Sequence, residues 1–478
     1  MLVVIGAGHN GLVAAVRLAA AGLAVTVLES AAEPGGGVRS SVDGGFVHDD
    51  CAAFFPLTAA SPAFRALELD VEWVNPEVAM AHVFDDGSAL PLCRSVSETA
   101  AAVGDSWAPL VERLWRVREP LLRAVLGTLP PARAVLELGK ETLSLAPLAV
   151  SSSAGLGRRL FGEDRAAGWL AGSGAHADVS PHSIPSGAFS LGLNFLGHLV
   201  GWPFPRGGAG RLTEALVERL RLHGGELRCG VEVERIELGR GVVLRGGEHV
   251  EADTVLCTPS PTVLTQLLPP GALPRRLSRW RYGLGTLKLD YQLSAPVPWP
   301  DPLAREAGVV HVGGPVDEVA GSLDDALAGR MPERPALVVG QHTVQDPSRA
   351  PEGKHTLYVY ARVPQHTEAD AAELVDAQLE RYAPGFGQTV LHRRIRTPAH
   401  IERDNPSLSG GDLAAGSFGL DQQLIFRPDP RLCRYRTPLS GLYVAGGWVH
   451  PGAGVHGMPG WNAARMILKD RHPRRGRR

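Results

Sequence analysis

Three glycines near the start of the chain have the spacing of a phosphate-binding turn. Gly6, Gly8 and Gly11 form a G-x-G-x-x-G pattern between an apolar run and a helix-like stretch, and Glu29 follows at the end of the next apolar run. In such a turn the first glycine allows a tight bend, the second lets a pyrophosphate approach the backbone, and the third lets helix and strand pack closely. The helix start offers free N–H groups to phosphate, and a carboxylate at Glu29 can accept hydrogen bonds from ribose hydroxyls. The pattern therefore predicts a dinucleotide site. Its other predicted members are Ala7, Asn10 and Ser30.

A second glycine cluster distinguishes between the possible dinucleotides. The segment SAAEPGGGVRSS begins directly after Glu29 and places Arg39 near phosphate or ribityl oxygens. A nicotinamide dinucleotide does not need this second clamp, whereas FAD extends well beyond its pyrophosphate through a ribityl chain and a flavin ring. We therefore expect FAD, with Gly36, Gly37 and Arg39 among its contacts.

A third glycine-rich segment lies near the end of the chain. HPGAGVHGMPG, residues 450–460, follows YVAGGW and precedes an apolar, helix-like run. Glycine and proline mark turns and loops, so this segment contributes little to a core. Its histidines, His450 and His456, are interpreted as hydrogen-bond partners rather than acid–base groups.

Other reactive combinations are missing from the sequence. The five cysteines include no C-x-x-C pair for a redox-active dithiol or half of a zinc site. No G-x-S-x-G elbow supports Ser-His-Asp hydrolysis. His176, His182 and His198 lack the spacing of metal ligands and are expected to be structural. Lys288 lies in the alternating segment GLGTLKLDYQL, a pattern that favours a lysine on the surface of a strand.

The elements that would position these residues begin with a β-α-β unit. Residues 2–5 are a β-branched run, 12–21 a helical stretch and 24–28 a second strand. Farther along, the sequence predicts a helix over 212–222 and strands around 227–236, 241–244 and 254–257. From residue 282 onward, alternating and apolar runs predict a mostly antiparallel sheet with helices.

Two apolar stretches in the middle of the chain are expected to pack inside the protein. Residues 107–128 carry apolar side chains three or four apart, which suits an amphipathic helix kinked at Pro120. A helix on a membrane surface is the alternative. The stretch 188–204 is shorter than the roughly 20 residues that span a bilayer. Its apolar side chains are expected in the core, with a substrate-cavity wall as the alternative: Phe189, Leu191, Leu193, Phe195, Leu199 and Trp202.

The composition is that of an ordinary globular protein. The 478 residues are 44% hydrophobic and 21% charged, with a net charge of −2, which argues against disorder and gives no reason to expect nucleic-acid binding. The length suggests about two or three domains. The odd, sparse cysteine count suits the reducing cytoplasm, and no signal peptide is apparent. The basic tail at 471–478 is expected to be a solvated terminus.

Several of these motifs, in this order, resemble a known family. They are VVIGAGHNGLVAAVRLAAAGLAVTVLE with its following GG, RGGAGRLTEALVERL with VEVERI and VLCTPSP, and GLYVAGGWVHPGAGVHG. Together they resemble the FAD-dependent phytoene desaturase-related oxidoreductases, relatives of the amine oxidases and of the Rab GDP-dissociation inhibitors. The similarity spans the chain in three separated blocks.

The resemblance implies roles for residues that the spacing alone does not assign. The C-terminal glycine segment would return to the first domain and lay its backbone against the pyrophosphate, ribityl chain and pyrimidine edge of FAD. Val233 matches the position that holds adenine, and the helix near Trp461 would point its N-terminus at the flavin. Lys288 matches the amine-oxidase lysine that reaches a water beside flavin N5. Amine oxidases often carry an acidic residue where this chain has Gly447. Phytoene desaturase-like sequences lack that acidic residue, as this chain does. The implied C-terminal contacts are Gly446, Gly447, Pro451, Gly452, Ala453, Gly454 and Val455.

The sequence thus predicts an α/β flavoprotein with a Rossmann-like FAD-binding domain built from discontinuous segments and a second, α+β substrate domain. Residues 1–75, 205–280 and 430–478 would form the first domain, and 76–204 and 281–429 the second. The expected reaction is oxidation, by desaturation, of an apolar small molecule, with oxygen or a quinone as electron acceptor and at most peripheral membrane contact. Two alternatives stay open: an amine oxidase-like enzyme, and a non-catalytic lipid- or prenyl-binding protein of the same fold.

Overall fold

Two large β-sheets organise the part of the chain that the structure describes, which in this computed structural model is residues 1–471. The strands, in chain order, are β1 (Leu2–Ile5), β2 (Val25–Leu28), β3 (Ser40–Asp43), β4 (Phe46–Asp49), β5 (Trp73–Val74), β6 (Val78–Val83), β7 (Ala89–Cys93), β8 (Phe204–Pro205), β9 (Glu226–Arg228), β10 (Val233–Glu237), β11 (Gly241–Leu244), β12 (His249–Glu251), β13 (Thr254–Cys257), β14 (Gly285–Leu293), β15 (Val309–Val312), β16 (Leu337–Gly340), β17 (His355–Val363), β18 (Val390–Arg396) and β19 (Leu442–Val444). The helices are α1 (His9–Ala20), α2 (Pro56–Ala60), α3 (Pro62–Leu67), α4 (Val96–Val103), α5 (Trp107–Arg116), α6 (Arg118–Leu126), α7 (Ala132–Leu138), α8 (Glu141–Ala149), α9 (Ser153–Phe161), α10 (Asp164–Gly174), α11 (Ser186–Leu199), α12 (Gly210–Leu222), α13 (Pro261–Gln266), α14 (Pro302–Glu306), α15 (Val316–Leu327), α16 (Ala372–Tyr382), α17 (Pro398–Asp404) and α18 (Met458–Arg471). All but the first residue of the basic tail lies outside the described residues.

The first sheet has five parallel strands in the order β19-β13-β1-β2-β9. Strands β1, β2 and β13 are short apolar or β-branched runs, buried along their whole length, as is typical of parallel strands that are covered on both faces. These strands come from widely separated parts of the chain, which confirms the expected α/β fold assembled from discontinuous segments. The residue boundaries between the two domains stay a prediction.

The predicted strand over 227–236 is two strands in the structure. β9 joins the first sheet, whereas β10 begins a separate three-stranded antiparallel sheet with β11 and β12. Between β9 and β10 the chain turns at Gly230, which has a φ of +70°. A positive φ favours glycine and ends the extended run.

The second sheet has seven strands in the order β18-β14-β17-β16-β15-β6-β7. All neighbours are antiparallel except β15 and β6, so the expected mostly antiparallel sheet is confirmed. Strands β14 and β17 pair over nine residues, which places Lys288 opposite Tyr360. Directly opposed residues share a face of the sheet, and this register therefore decides which side chains lie together.

The predicted kinked helix over 107–128 is two helices with a break before Pro120. Helix α5 ends at Arg116, Val117 has non-helical backbone angles, and α6 begins at Arg118. Proline has no N–H for the carbonyl four residues earlier, and its ring clashes with that carbonyl. The interruption therefore falls one turn before the proline rather than at it.

The apolar stretch 188–204 contributes helix α11 to the core. Leu191, Phe195 and Trp202 are at most 6% exposed and belong to one apolar cluster with Trp107 and Trp169, which agrees with the core interpretation. Among the described residues, no helix has both the length and the apolar composition needed to cross a bilayer.

The two ends of the described chain meet through helices α1 and α18. A Cβ built at Gly460 would collide with the backbone oxygen of Asn10, so the helices touch backbone to backbone. Arg17 of α1 donates to the Trp461 carbonyl at 3.0 Å and lies 3.8 Å from the centre of the Trp461 ring. The C-terminal glycine segment is thereby held beside the N-terminal turn.

Candidate functional site

The three glycines of the N-terminal turn have different surroundings. Gly6 has a φ of +93°, which only glycine adopts readily. A Cβ at Gly11 would collide with the Gly6 carbonyl oxygen, whereas a Cβ at Gly8 would have no atom within 4 Å. Gly11 is thus required for packing, and Gly8 leaves open space at the N-terminus of α1.

Glu29 is fixed at the end of β2, beside this turn. Its carboxylate accepts hydrogen bonds from the backbone N–H groups of Ala7 at 2.7 Å and Ala31 at 2.9 Å. The Glu29 carbonyl accepts from Val231 N–H at 2.9 Å, which brings the start of β10, and with it Val233, to the same end of the sheet. A carboxylate held in this way is preorganised to accept hydrogen bonds from a ribose.

The second glycine cluster lies directly on the first. A Cβ at Gly36 would be 3.2 Å from the Gly8 Cα, and one at Gly37 would be 3.6 Å from the Cys51 Cβ. Arg39 approaches Asp50 with its Nε at 3.6 Å from the carboxylate, but that buried Nε has no hydrogen-bond partner.

The C-terminal glycine segment closes over the same region. Val455 and His456 accept hydrogen bonds through their carbonyls from Thr58 and, at 2.6 Å, from Ser61. A hydrogen bond joins His9 to the backbone of Gly454, although burial outweighs it and lowers the pKa of His9 to about 4. The three predicted clusters therefore come together in space.

His450 and His456 are hydrogen-bond partners within this segment. The His450 Nε2 lies 3.1 Å from the Gly127 carbonyl. The Met458 N–H donates to His456 Nδ1 at 3.2 Å, so His456 satisfies a backbone group at the start of α18. Burial lowers the pKa of His450 to about 4 and that of His456 to about 3, so both imidazoles are neutral near pH 7.

This arrangement fits FAD. It offers open space at Gly8 beside free helix N–H groups, which suits a pyrophosphate, and a fixed carboxylate at Glu29, which suits a ribose. Two buried polar atoms beside it, Asn10 Oδ1 and Arg39 Nε, lack partners within the protein. Buried polar atoms normally find a partner, so these two are available to a polar ligand.

Lys288 is buried, and the expectation of a surface lysine is wrong. Its side chain has no solvent exposure and forms an ion pair with Asp290, and its Nζ lies 4.6 Å from the centre of the Tyr358 ring. Strand β14 has covered faces on both sides, so polarity alternation along it does not indicate exposure. Burial would raise the pKa of Asp290, but the charges of Lys288, His48 and Arg394 outweigh it and lower that pKa.

Two residues, Tyr358 and Cys51, connect Lys288 to the second glycine cluster. The Tyr358 hydroxyl donates to the Cys51 carbonyl at 2.5 Å, and Cys51 packs beside Gly37. The strand register places a set of buried side chains on one side of the second sheet, which we name the inner face. The inner face consists of Met80, His82, Thr286, Lys288, Asp290, Val309, His311, Val338, Tyr358, Tyr360 and Arg362.

The part of the inner face on β6, β15, β16 and β17 packs against the apolar cluster of α5, α10 and α11, and the face carries a chain of histidines. The Tyr360 hydroxyl lies 3.0 Å from His176 Nδ1, and His176 Nε2 lies 2.9 Å from His311 Nε2. Burial lowers the pKa of His176 to about 3 and that of His82 to about 4. His198 is thus buried and His176 is partly buried, in agreement with a structural role, whereas His182 is exposed and lies 3.4 Å from Asp317. Residues 1–471 contain no group of three or more His, Cys, Asp or Glu side chains placed to hold a metal ion.

Two residues beside the site escaped the sequence interpretation. The Thr258 hydroxyl donates to the Ile5 carbonyl at 2.8 Å, directly before the glycine turn. Arg427 lies against Gly447 and Gly452 of the C-terminal segment. Neither residue has a recognisable spacing to the motifs that it contacts. The one sequence signal is that Arg427 is a single charge inside the apolar segment LIFRP, which indicates a buried arginine.

The chain is similar in sequence and in fold to known proteins. The family described as flavin containing amine oxidoreductase matches residues 11–468. The chain is 28% identical over 544 residues to pyridine nucleotide-disulfide oxidoreductase domain-containing protein 2 of Rattus norvegicus, covering 98% of this chain and 93% of the relative. It is 30% identical over 497 residues to the zeta-carotene-forming phytoene desaturase of Myxococcus xanthus, covering 95% of this chain and 90% of the relative. A crystal structure of an oxidoreductase from Methanosarcina mazei shares the fold, with a TM-score of 0.65, 18% identity and coverage of 98% and 99%.

Proposed function

Because the chain belongs to the flavin containing amine oxidoreductase family and is an FAD-dependent oxidoreductase, we propose that it desaturates an apolar small molecule. A polyene or an isoprenoid-like metabolite has the required chemistry. FAD, when bound, supplies the two-electron acceptor for a hydride. The phytoene desaturase relative supports an apolar substrate, since its name describes the oxidation of a hydrocarbon.

One observation carries the proposal: the inner face offers no free carboxylate. Asp290 is the one carboxylate of the inner face. It forms ion pairs with Lys288 and with Arg394, whose Nη2 lies 2.8 Å from the Asp290 carboxylate. Arg362 adds a further buried cation. A protonated amine would meet like charges there without a partner, and burying an unpaired charge is strongly unfavourable. An uncharged substrate under an aromatic cover has no such penalty.

We propose that the cofactor is held by the three glycine clusters. Gly8 and the start of α1 would receive the pyrophosphate, Glu29 the ribose, and the backbone beside Val233 the adenine. The complete proposed set is Gly6, Ala7, Gly8, Asn10, Gly11, Glu29, Ser30, Gly36, Gly37, Arg39, Val233, Gly446, Gly447, Pro451, Gly452, Ala453, Gly454 and Val455. The contacts among these clusters support the assignment.

Lys288 is the proposed catalytic residue. Its buried ammonium is oriented by Asp290 and lies on the face that adjoins the second glycine cluster. A fixed positive charge there would assist electron transfer to an acceptor, which we propose is oxygen or a quinone.

The test is the visible spectrum of the purified protein. We expect bound flavin absorbance that is bleached anaerobically by an apolar polyene or isoprenoid delivered in detergent, and not by primary amines. Lys288→Met should keep the flavin spectrum but slow turnover at least about tenfold, and Lys354→Met, in the partly exposed loop before β17, serves as the matched control. Bleaching by amines alone would contradict the proposal.

An amine oxidase-like activity is the second candidate. Tyr358 and Tyr360 form an aromatic pair beside Lys288, with ring centres 6.0 Å apart and planes at 82°, and such a pair is what an amine site would need. Amine-dependent release of peroxide would favour it.

We further propose a cytoplasmic location with at most peripheral membrane contact. All five cysteines are free, which suits a reducing compartment. Leu136 of α7 and Leu143 of α8 are each 81% exposed, and exposed apolar side chains on neighbouring helices are typical of an interaction surface. Co-sedimentation with vesicles that is lost in a Leu136→Ser/Leu143→Ser variant would support surface binding.

A further inference from the structure

Arg427 has a set of hydrogen bonds that no motif explains. Its side chain is fully buried and donates only to backbone carbonyls. Nη2 donates to Gly447 at 2.8 Å and Nε donates to the same oxygen at 3.1 Å. The other acceptors are Ser417 at 3.0 Å and Ala414, Gly416 and Gln422 at 3.4 Å.

The positive charge of Arg427 has no direct carboxylate partner. Asp412 is the carboxylate whose charge acts most strongly on Arg427. It accepts hydrogen bonds from the N–H groups of Gly283 at 2.8 Å and Gly416 at 2.7 Å instead. Asp178 accepts from Phe418 N–H at 2.8 Å. Burial lowers the pKa of Arg427 to about 10 although Asp412 and Asp178 raise it, so the group stays protonated near neutral pH. A buried cation without an ion pair acts strongly on its surroundings because the local dielectric constant is low.

This charge lies directly behind the C-terminal glycine segment. A Cβ at Gly452 would be 3.0 Å from Arg427 Nε, and the Gly447 carbonyl is held by two guanidinium donors. The same segment reaches the dinucleotide turn through Gly454, which hydrogen-bonds His9, and through Gly460, which touches Asn10. Arg427 therefore connects the loop 414–422 to the segment that closes over the N-terminal turn.

We propose that Arg427 is a positioning residue for the flavin, which shapes the C-terminal glycine segment and makes the bound cofactor easier to reduce. This inference rests on the proposed function, because it requires that the segment contact FAD. The planar guanidinium fixes several carbonyls at once, which the point charge of a lysine cannot do. Its charge favours the reduced flavin, which carries a negative charge that the oxidised form lacks.

The test separates the two effects with Arg427→Gln and Arg427→Lys. For Arg427→Gln we expect the dissociation constant of FAD to rise roughly 10- to 100-fold, as loss of charge-assisted hydrogen bonds predicts. Reduced FAD should lose about tenfold more affinity than oxidised FAD, which lowers the two-electron potential by about 30 mV. Arg427→Lys should weaken FAD binding but leave the potential near that of the wild type.

Arg381→Gln is the matched control, because Arg381 also makes several hydrogen bonds, to Glu318 and Asp85, on helix α16 away from the glycine segment. It should change neither measurement. Arg427→Gln with FAD affinity within about twofold of the wild type, or with weaker binding but an unchanged potential, would overturn the inference. If Arg427→Gln does not fold, Arg427→Lys decides, and unchanged FAD affinity in it overturns the proposal. A wild-type protein that binds no FAD defeats the proposed function itself, whereas one that binds FAD but ignores apolar compounds defeats only the substrate assignment.

Discussion

At the scale of single residues, the glycines of the first turn serve different purposes. Gly8 has ordinary backbone angles, with φ −69° and ψ 168°, and leaves unoccupied space. Gly11 has no space at all, because the Gly6 carbonyl lies where its Cβ would be. The same residue type therefore serves ligand binding at one position and packing at the other.

Alanine substitutions should separate these purposes. Gly8→Ala should leave the free energy of unfolding of the FAD-free protein within about 0.5 kcal/mol of the wild type, yet weaken FAD binding at least about tenfold, because the methyl group occupies the path of the pyrophosphate. Gly11→Ala should destabilise the FAD-free protein by about 1–3 kcal/mol through overpacking. Denaturant unfolding and FAD titration measure both, and a Gly8→Ala protein with wild-type FAD affinity would refute the placement of the phosphate.

Lys288 shows how a residue can be misassigned when only its neighbours in sequence are considered. Alternation along β14 suggested one wet face, but residues far away in sequence pack on it: Tyr358 of β17 lies beside the Lys288 Nζ, and His48 of β4 lies 3.9 Å from Asp290. A charge inside such a structure requires a partner, and Asp290 supplies it two residues along the same strand. Its burial was decided by packing, while its partner was visible in the sequence.

At the scale of elements, the contact between α1 and α18 joins the two ends of the site. Gly460 allows the helices to touch at Asn10. The first turn of α18 then faces the region in which the flavin is proposed, where the positive end of the helix dipole would favour negative charge.

Two helical glycines provide a matched pair for this contact. Gly460→Ala should push α18 away from α1, with a loss of about 1–3 kcal/mol in stability and weaker FAD binding. Gly321→Ala, on an exposed face of α15 with no atom within 4 Å of the new Cβ, should stabilise the protein by about 0.5–1 kcal/mol. Thermal unfolding with and without FAD measures both. Equal melting temperatures for the two variants would show that the helices do not meet at this glycine.

At the scale of the whole molecule, buried neutral histidines should make stability depend on pH. Burial lowers the pKa of His176, His342 and His456 to about 3 and that of His82 to about 4. In the unfolded chain a histidine has a pKa of about 6.5, so below that pH the unfolded state binds more protons. The stabilisation is therefore complete above about pH 6.5 and is lost as the pH falls toward the folded values.

We expect the free energy of unfolding to fall between about pH 6 and pH 4 by up to about 1.4 kcal/mol per pH unit for each such histidine. His176→Gln should reduce this slope by up to about 1.4 kcal/mol per pH unit, the contribution of one proton. His223→Gln, on the exposed end of α12, should leave the slope unchanged. Urea unfolding at several pH values gives the slopes. A free energy that is flat from pH 7 to pH 4 would contradict the burial of these imidazoles.

The amino-acid sequence by itself determined the features that depend on a few neighbouring residues. The spacing of Gly6, Gly8 and Gly11 before a helix requires a tight turn whatever lies around it, because backbone angles and carbonyl sterics are local. The buried runs of β1, β2 and β13 and the existence of strands β14 and β17 were readable for the same reason. The resemblance of three ordered motifs then indicated that separated segments belong to one site.

Only the tertiary structure decided the features that depend on distant segments. Arg427 came to lie behind Gly447 because a loop and the C-terminal segment fold around its guanidinium, and no spacing in the sequence records that meeting. The inner face, likewise, exists because strand register aligns side chains from β6, β14, β15, β16 and β17, which are widely separated along the chain. Burial, ion pairing and register are set by the free energy of the whole packed molecule, whereas turns and strands follow from the chemistry of adjacent residues.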